Sequence, residues 1–348
     1  MGSWRGAIAW LSLLGLLLAA CAAPGAGSGG TAVSPPAQAP ATSGPPVSSP
    51  GALLKVPAAY SAASGAQLVI LLAEQAGLFR ERGLAVELTL LGGDRAIQSL
   101  VAGQIAFATI PGVQLVNAAV GGAPVVTVAQ DMETVGLSIH ADPSIRELRG
   151  LRGKRIGITV PGTLTDLAAR VVIREAGLRV GEDVALVNVG SVQDLVPAMA
   201  AGAADAAVLS MPASLRAREA GFPELVDVAS LGRPARIIHN TLASRRDYLA
   251  EQPEAARRFV DAYAAAVRLA REDLAAARAA VMRWLDIDDP ALAEATAQYY
   301  VRLLKDPPRP SPESWRALLE LMADLPEVHP AVRTTAPETL IDTRFFSS

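Results

Sequence analysis

From residue 53 to about residue 210 the chain alternates short β-rich runs with helical ones, and this alternation is the tightest constraint on its fold. Leu53 to Ala58 reads as a strand, and Gln67 to Gln75 as a helix that stops at Gly77, a natural C-cap. Val86, Leu88 and Leu90 alternate with Glu87 and Thr89, the pattern of a partly buried strand. Asp94 opens a helix that ends before Gly103. Ile105 to Ile110 and Pro124 to Ala129 are strands around a helix from Val113 to Val120. After Asp142 the rhythm restarts, with strands at Arg155–Val160, Val184–Val189 and Ala204–Leu209 and helices at Leu164–Ala176 and Val192–Ala201. Strand–helix–strand units of this kind build a mostly parallel sheet covered by helices.

The two stretches share a junction. Leu100-Val101-Ala102-Gly103-Gln104-Ile105-Ala106 and Met199-Ala200-Ala201-Gly202-Ala203-Ala204-Asp205 each run from a helix end through a glycine into a strand. They sit at equivalent points of two halves, which points to two similar α/β lobes. After Pro253 the pattern turns helical. Glu254 to Trp284 carries Phe259, Tyr263, Val267, Ala270 and Leu274 at three- and four-residue spacing, a core-facing stripe, and helices at Pro290–Leu304 and Pro312–Ala323 follow.

Composition narrows the partners. Hydrophobic residues make up 51% of 348 and aromatics only 4%, so core and pocket walls are chiefly Ala, Val, Leu and Ile. The net charge is −3 with no basic cluster, which argues against nucleic acid. One cysteine permits neither an internal disulfide nor an all-cysteine metal site.

That cysteine, Cys21, follows Arg5 and an apolar run from Gly6 to Leu18, too short to span a bilayer. Leu18-Ala19-Ala20-Cys21 resembles the bacterial lipobox, which implies that residues 1–20 are a lipoprotein signal peptide and that Cys21 carries the lipid anchor. An ordinary signal peptide with a chance cysteine is the alternative. Residues 22 to 51 contain no charged residue and are nearly all Ala, Gly, Ser, Pro and Thr. The stretch 21–51 is therefore expected to be a disordered linker.

Several further stretches, taken in order, resemble the substrate-binding proteins of bacterial ABC importers of the nitrate, sulfonate, taurine and thiamine-precursor type. They are Leu72-Ala73-Glu74-Gln75-Ala76-Gly77-Leu78-Phe79, Arg82-Gly83-Leu84-Ala85-Val86-Glu87-Leu88, Gly92-Gly93, and Leu100 to Phe107. Leu148-Arg149-Gly150-Leu151-Arg152-Gly153-Lys154-Arg155-Ile156-Gly157 and Pro161-Gly162-Thr163 complete the set. The resemblance runs from about residue 52 to 260, with looser agreement to about 330. It implies the two-lobed, type II periplasmic-binding-protein fold, α/β in each lobe, with extra C-terminal helices. By analogy one lobe is 52–132 with 236–348 and the other is 133–235. It further implies one ligand between lobes joined by two hinge strands, handover to an ABC permease with its ATPase, no cofactor, and a monomer on the outer face of the membrane.

Open α/β sheets bind ligands beyond the carboxyl ends of their strands, against helix N-termini. Four strand-to-helix turns qualify. They supply Tyr60, Ser61, Ser64 and Gly65; Gly92, Gly93 and Asp94; Pro111 and Gly112; and Gly162, Thr163, Leu164 and Thr165. Gly190 and the pair Ser210–Met211 join them. Asp94 reads as an N-cap, and Thr163 with Asp166 has capping-box spacing. If these acids occupy the helix N–H groups, little positive potential is left for an anion, and a neutral or mildly polar small molecule is expected. Tyr60 is the one well-placed ring. Asp131 and Glu133, near the hinge, could favour a cationic group but read as exposed charge.

Two other functions share this scaffold: an enzyme of pyrimidine-precursor or dehydratase type, and a tethered sensory module. Of the three histidines, His239 sits with Asn240 in the return strand and is read as structural, although it could approach the cleft. No nucleotide fingerprint, H-x-x-x-H spacing or nucleophile elbow is present. No metal and no catalytic residue is expected.

Overall fold

A computed structural model describes residues 52–232, 236–325 and 328–346. The signal segment 1–20, Cys21 and the linker to residue 51 lie outside the described residues.

Two five-stranded sheets organise the chain among the described residues. The first has the order β2–β1–β3–β10–β4, built from β1 (Leu54–Tyr60), β2 (Leu84–Leu90), β3 (Phe107–Ile110), β4 (Val125–Met132) and β10 (Asn240–Arg245). The second has the order β7–β6–β8–β5–β9, from β5 (Ser138–Ala141), β6 (Arg155–Ile158), β7 (Ala185–Asn188), β8 (Ala206–Leu209) and β9 (Glu224–Asp227). The orders are equivalent. In each sheet one strand runs against its neighbours, β10 against β3 and β4, and β5 against β8 and β9. That strand is the one the chain supplies on crossing from the other sheet, so the chain crosses once after β4 and returns before β10.

The repeated junction lies where the topology is repeated. Helix α3 (Gly93–Val101) and helix α6 (Leu195–Ala200) are each followed by a glycine with left-handed φ, Gly103 at 73° and Gly202 at 69°. Each chain then enters the third strand of its sheet, β3 or β8.

Residues of alternate parity on β1 face opposite layers. Ala59 joins the core under α3, α4 (Gly112–Val120) and α12 (Pro312–Ala323), while Val56, Ala58 and Tyr60 pack under α1 (Leu68–Gln75) and the later helices. In the second sheet, α5 (Leu164–Glu175) covers one face, and α6 with α7 (Ala213–Glu219) covers the other. The apolar stripe 254–284 belongs to two helices, α9 (Pro253–Glu272) and α10 (Leu274–Leu285), rather than one. Asp273 breaks it: its φ and ψ are −129° and 89°, and its carboxylate accepts from Ala276 N as the cap of α10. Phe259, Tyr263, Val267 and Ala270 are fully buried, as a stripe requires. Helix α11 (Pro290–Leu303) packs beside α10, and two short helices, α2 (Leu78–Glu81) and α8 (Arg246–Glu251), lie against α9.

The C-terminal extension has a structural task. β4 ends the order of its sheet, yet every one of its residues is buried. Backbone bonds from residues 304–342 cover its free edge: Lys305 N donates to Asp131 O, Gln130 N to Pro308 O, and Asp342 N to Thr127 O. An uncovered edge would be a template for strand pairing between molecules.

Candidate functional site

A cavity of about 510 Å³ opens between the two sheets and is lined from both. The first sheet contributes the Ser61–Gln67 turn after β1, Gly92 to Arg95 after β2, and Pro111 with Gln114 at the start of α4. The second contributes Thr159 to Thr165 in part, Gly190 to Gln193, and Ser210. Leu137 from the first crossing and His239 from the second complete the lining. These are strand ends and helix starts, the places where an α/β sheet leaves backbone N–H groups without intrahelical partners.

Each turn has a local cause. Ser64 Oγ caps the short turn Gly65–Gln67 by accepting from Ala66 N at 3.3 Å, and it contacts Ser210 Oγ at 3.2 Å across the cleft. Gln67 places its amide inside, where it donates to Ser61 Oγ and accepts from Thr109 Oγ1. On the second sheet, the hydroxyls of Thr159, Thr163 and Thr165 lie 2.8–3.2 Å from one another. Thr163 Oγ1 also donates to Val160 O at 2.6 Å.

The capping expectation is corrected. α3 is capped by Gly92 with no side-chain bond, and Asp94 accepts from Gln114 Nε2 at 3.2 Å instead. At α5 the N-cap Thr163 makes no side-chain cap bond. Asp166 reaches past it to Gly162 N at 2.7 Å and pairs with Arg170 Nε at 2.8 Å. Neither acid occupies the N-terminal N–H groups of its helix, so the argument that those donors are lost to a ligand does not hold. Both helices present uncapped N-termini to the cavity, an arrangement that favours hydrogen-bond acceptors.

The cavity brings together Ser61, Ser64, Gly92, Gly93, Asp94, Pro111, Thr163, Leu164, Thr165, Gly190 and Ser210. Five other sequence-predicted positions fall outside its lining. The Tyr60 ring turns away from the cleft and meets Trp284 edge-on, centroids 6.2 Å apart. Gly65 and Gly112 are close-packing positions: a Cβ would lie 2.5 Å from the Tyr300 ring in one case and 2.7 Å from Ile238 Cβ in the other. Gly162, in the left-handed region at φ 79°, lines a separate cavity of about 150 Å³. Met211 lines another of about 260 Å³ behind the crossings.

Gln67, Gln114, Thr159, Leu137 and the walls Val160 and Val192 escaped the sequence reading. The glutamines sit in the first turns of helices, which face the same way as the loops before them. That position was a usable signal. Leu137 carried none, because nothing local marks a crossing segment.

The two crossings also hold buried titratable groups. Asp131, read as exposed from sequence, is fully buried at the end of β4, and its carboxylate has no hydrogen-bond partner. Burial pushes it up to about 7, against the smaller lowering influences of its own backbone and of Tyr263 and Asn240 alongside. The neighbouring side chains do not form well-aligned bonds to it, so burial prevails. Glu133 is half-buried and paired with Lys305. His239 is likewise buried, and burial lowers it to about 4. Among the described residues no cluster of His, Cys, Asp and Glu is arranged to hold a metal ion, and no helix is long and apolar enough to cross a membrane.

Sheet order and inter-sheet cavity together define a protein of the two-lobed periplasmic-binding class. Solved structures of that fold superpose on this chain. A Bordetella bronchiseptica RB50 protein matches with TM-score 0.73 and 19% identity over 84% of this chain and 95% of its own. The alkanesulfonate-binding protein SsuA of Xanthomonas axonopodis pv. citri, bound to MOPS, matches with TM-score 0.65 and 19% identity over 83% and 94%. The periplasmic nitrate-binding protein NrtA of Synechocystis PCC 6803 matches with TM-score 0.59 and 16% identity over 69% of each chain. No curated protein matches the sequence significantly. The chain belongs to the NMT1/THI5-like family, whose model matches residues 66–277.

Proposed function

We propose that this chain is the extracytoplasmic solute-binding protein of an ABC importer. It captures a small polar organic molecule between two lobes, 52–132 with 236–348 and 133–235, and delivers it to a membrane permease energised by its ATPase. The observation that carries this reading is the cavity, placed between two equivalent sheets and lined by strand-end turns from both. Such a site closes by relative motion of the sheets about the two crossings. The sulfonate- and nitrate-binding proteins that share the fold support a ligand with acceptor oxygens, and the uncapped helix N-termini agree with it.

An enzyme on the same scaffold needs a group that moves a proton. The imidazole in the lining, His239, is held neutral with Nδ1 already bonded, which supports binding over chemistry. The lipobox resemblance at Cys21 supports a lipid anchor that keeps the protein beside its permease on the outer face of the membrane. The linker 21–51 would supply the reach.

A metabolite screen by thermal shift on the full chain tests the reading. One small molecule should stabilise it and be recovered unchanged after long incubation; conversion to product would sink the transport function. Cys21→Ala should release the protein from the membrane fraction, and continued retention would refute the anchor.

A further inference from the structure

A buried polar side chain normally finds partners, so a buried ring with one nitrogen bonded and the other open to a cavity is informative. His239 stands where the chain returns to the first sheet, immediately before β10, and is 5% exposed. Its Nδ1 accepts a hydrogen bond from the backbone N–H of Gly136 at 2.7 Å. An amide N–H only donates, so Nδ1 bears the lone pair and the proton of the neutral ring sits on Nε2. Tyr300 packs edge-on against the ring, centroids 6.0 Å apart at 90°, and fixes its plane. His239 lines the main cavity, and among the described residues Nε2 has no hydrogen-bond partner.

Gly136 is a position that allows this. A Cβ there would lie 2.8 Å from Leu303 Cδ1 and 3.0 Å from Tyr299 Cε1, so only glycine lets the first crossing approach α11 closely enough. Polar neighbours in the lining are engaged with one another: Ser64 with Ser210 and Tyr300, Gln67 with Ser61 and Thr109, Asp94 with Gln114. No charged side chain acts on the imidazole, and burial alone keeps it uncharged at neutral pH.

We propose that His239 is the specificity-determining residue of the cavity: its Nε2–H, aimed by Gly136, takes an unprotonated ligand oxygen of carbonyl, carboxylate or sulfonate type and gives no seat to an ammonium group. This rests on the cavity being the ligand site. Because Gly136 lies in the first crossing and His239 in the second, the ligand oxygen is one ring away from both hinge segments.

The full chain contains three histidines, so protein labelled with ¹⁵N-histidine shows three rings, and His239→Gln assigns the one in question. The expected ring is an Nε2–H tautomer that does not titrate between about pH 5.5 and about pH 8. An Nδ1–H tautomer, or a midpoint near the ordinary histidine value, overturns the proposal even if the protein binds a metabolite. Formate, methanesulfonate and methylammonium, each small enough to enter the cavity, are then titrated to about 200 mM at constant ionic strength. The two oxygen probes should shift the Nε2–H resonance and methylammonium should leave it unmoved. An equal response to methylammonium, or none to either oxygen probe, overturns the proposal. His239→Leu, which keeps the bulk but has no donor for the cavity, should bind formate about tenfold more weakly, the order of one hydrogen bond. The wild-type titration decides should that variant fold poorly. A protein that passes both tests yet imports nothing would remove the transport reading alone.

Discussion

The two walls of the cleft rest on equivalent strand orders but hold their turns differently. On the first wall, the Ser61–Gly65 turn is held by packing: Gly65 lies directly against the buried ring of Tyr300 on α11. On the second, the Thr159–Asp166 turn is held by its own hydrogen bonds, through the three threonine hydroxyls and through Asp166 to Gly162 N and Arg170. A packed turn inherits the rigidity of the C-terminal helices, and a hydrogen-bonded one carries its order within a few residues. Substitutions on the first wall should therefore unsettle the whole lobe, and those on the second should stay local.

The largest effect is expected at Gly65→Ala. Its Cβ would fall 2.5 Å from two Tyr300 ring carbons and 2.6 Å from Thr296 Cγ2, and both residues are fully buried. Overpacking of this severity costs about 3 kcal/mol, read as a fall in the thermal midpoint together with loss of ligand. An unchanged midpoint would break the packing account of the first wall.

The crossings sharpen the contrast next. Asp131 has its folded value raised from 3.8 to about 7 by burial, so the folded state holds its proton more tightly than the unfolded chain. The stability it contributes is fully present below about pH 4 and is lost as pH rises through about 7. Asp131→Asn should flatten that decline by on the order of 2 kcal/mol, at roughly 1.4 kcal/mol per unit with allowance for relaxation of a buried site. Chemical denaturation at several pH values measures it. A variant that tracks the wild type from pH 4 to 7 would show that the carboxyl is ionised in the fold.

Much of this architecture was legible before any coordinates. The βαβ rhythm placed β1 to β4 and β6 to β8 to within a few residues, and the Gly103 and Gly202 junctions marked the equivalence of the two sheets. Periodicity is a local signal, and these elements are locally determined. β5 and β9 escaped because short strands in a crossing segment, four residues each, carry too little pattern. The break at Asp273 was hidden within a stripe that both helices continue. At the site, strand-end turns were legible as a class, but which glycines line the cleft was not. Gly65 and Gly112 are excluded by Tyr300 and Ile238, which arrive from more than 100 positions away in the chain. His239 and Gly136 are likewise joined only by the fold, across 103 positions.

On the second wall, Asp166→Ala removes the acceptor for Gly162 N–H and one contact of Arg170, at about 1–2 kcal/mol. By the comparison above, its effect should be confined: hydrogen exchange should rise over residues 159–167 and stay unchanged over 61–67. Faster exchange at both turns would mean that the walls are coupled after all.

The smallest effect should come where the walls meet at the rim. Asn117 Nδ2, on α4, donates to Gly162 O at 3.1 Å, an exposed contact from the first lobe to the second. Water competes for both groups, so Asn117→Ala should change folding stability by less than about 1 kcal/mol. Its influence belongs instead to the balance between open and shut clefts, because only the shut form makes the bond. A loss of about 0.5–1 kcal/mol from one side of that balance shifts it roughly two- to fivefold toward open. Fluorophores across the mouth would report a longer mean distance for the variant without ligand, at an unchanged melting temperature. An unchanged distance would assign the rim contact no part in closure and leave it to the other contacts between the lobes, among them Ser64 Oγ to Ser210 Oγ, Gly65 N to Met211 O and Arg174 to Asp324.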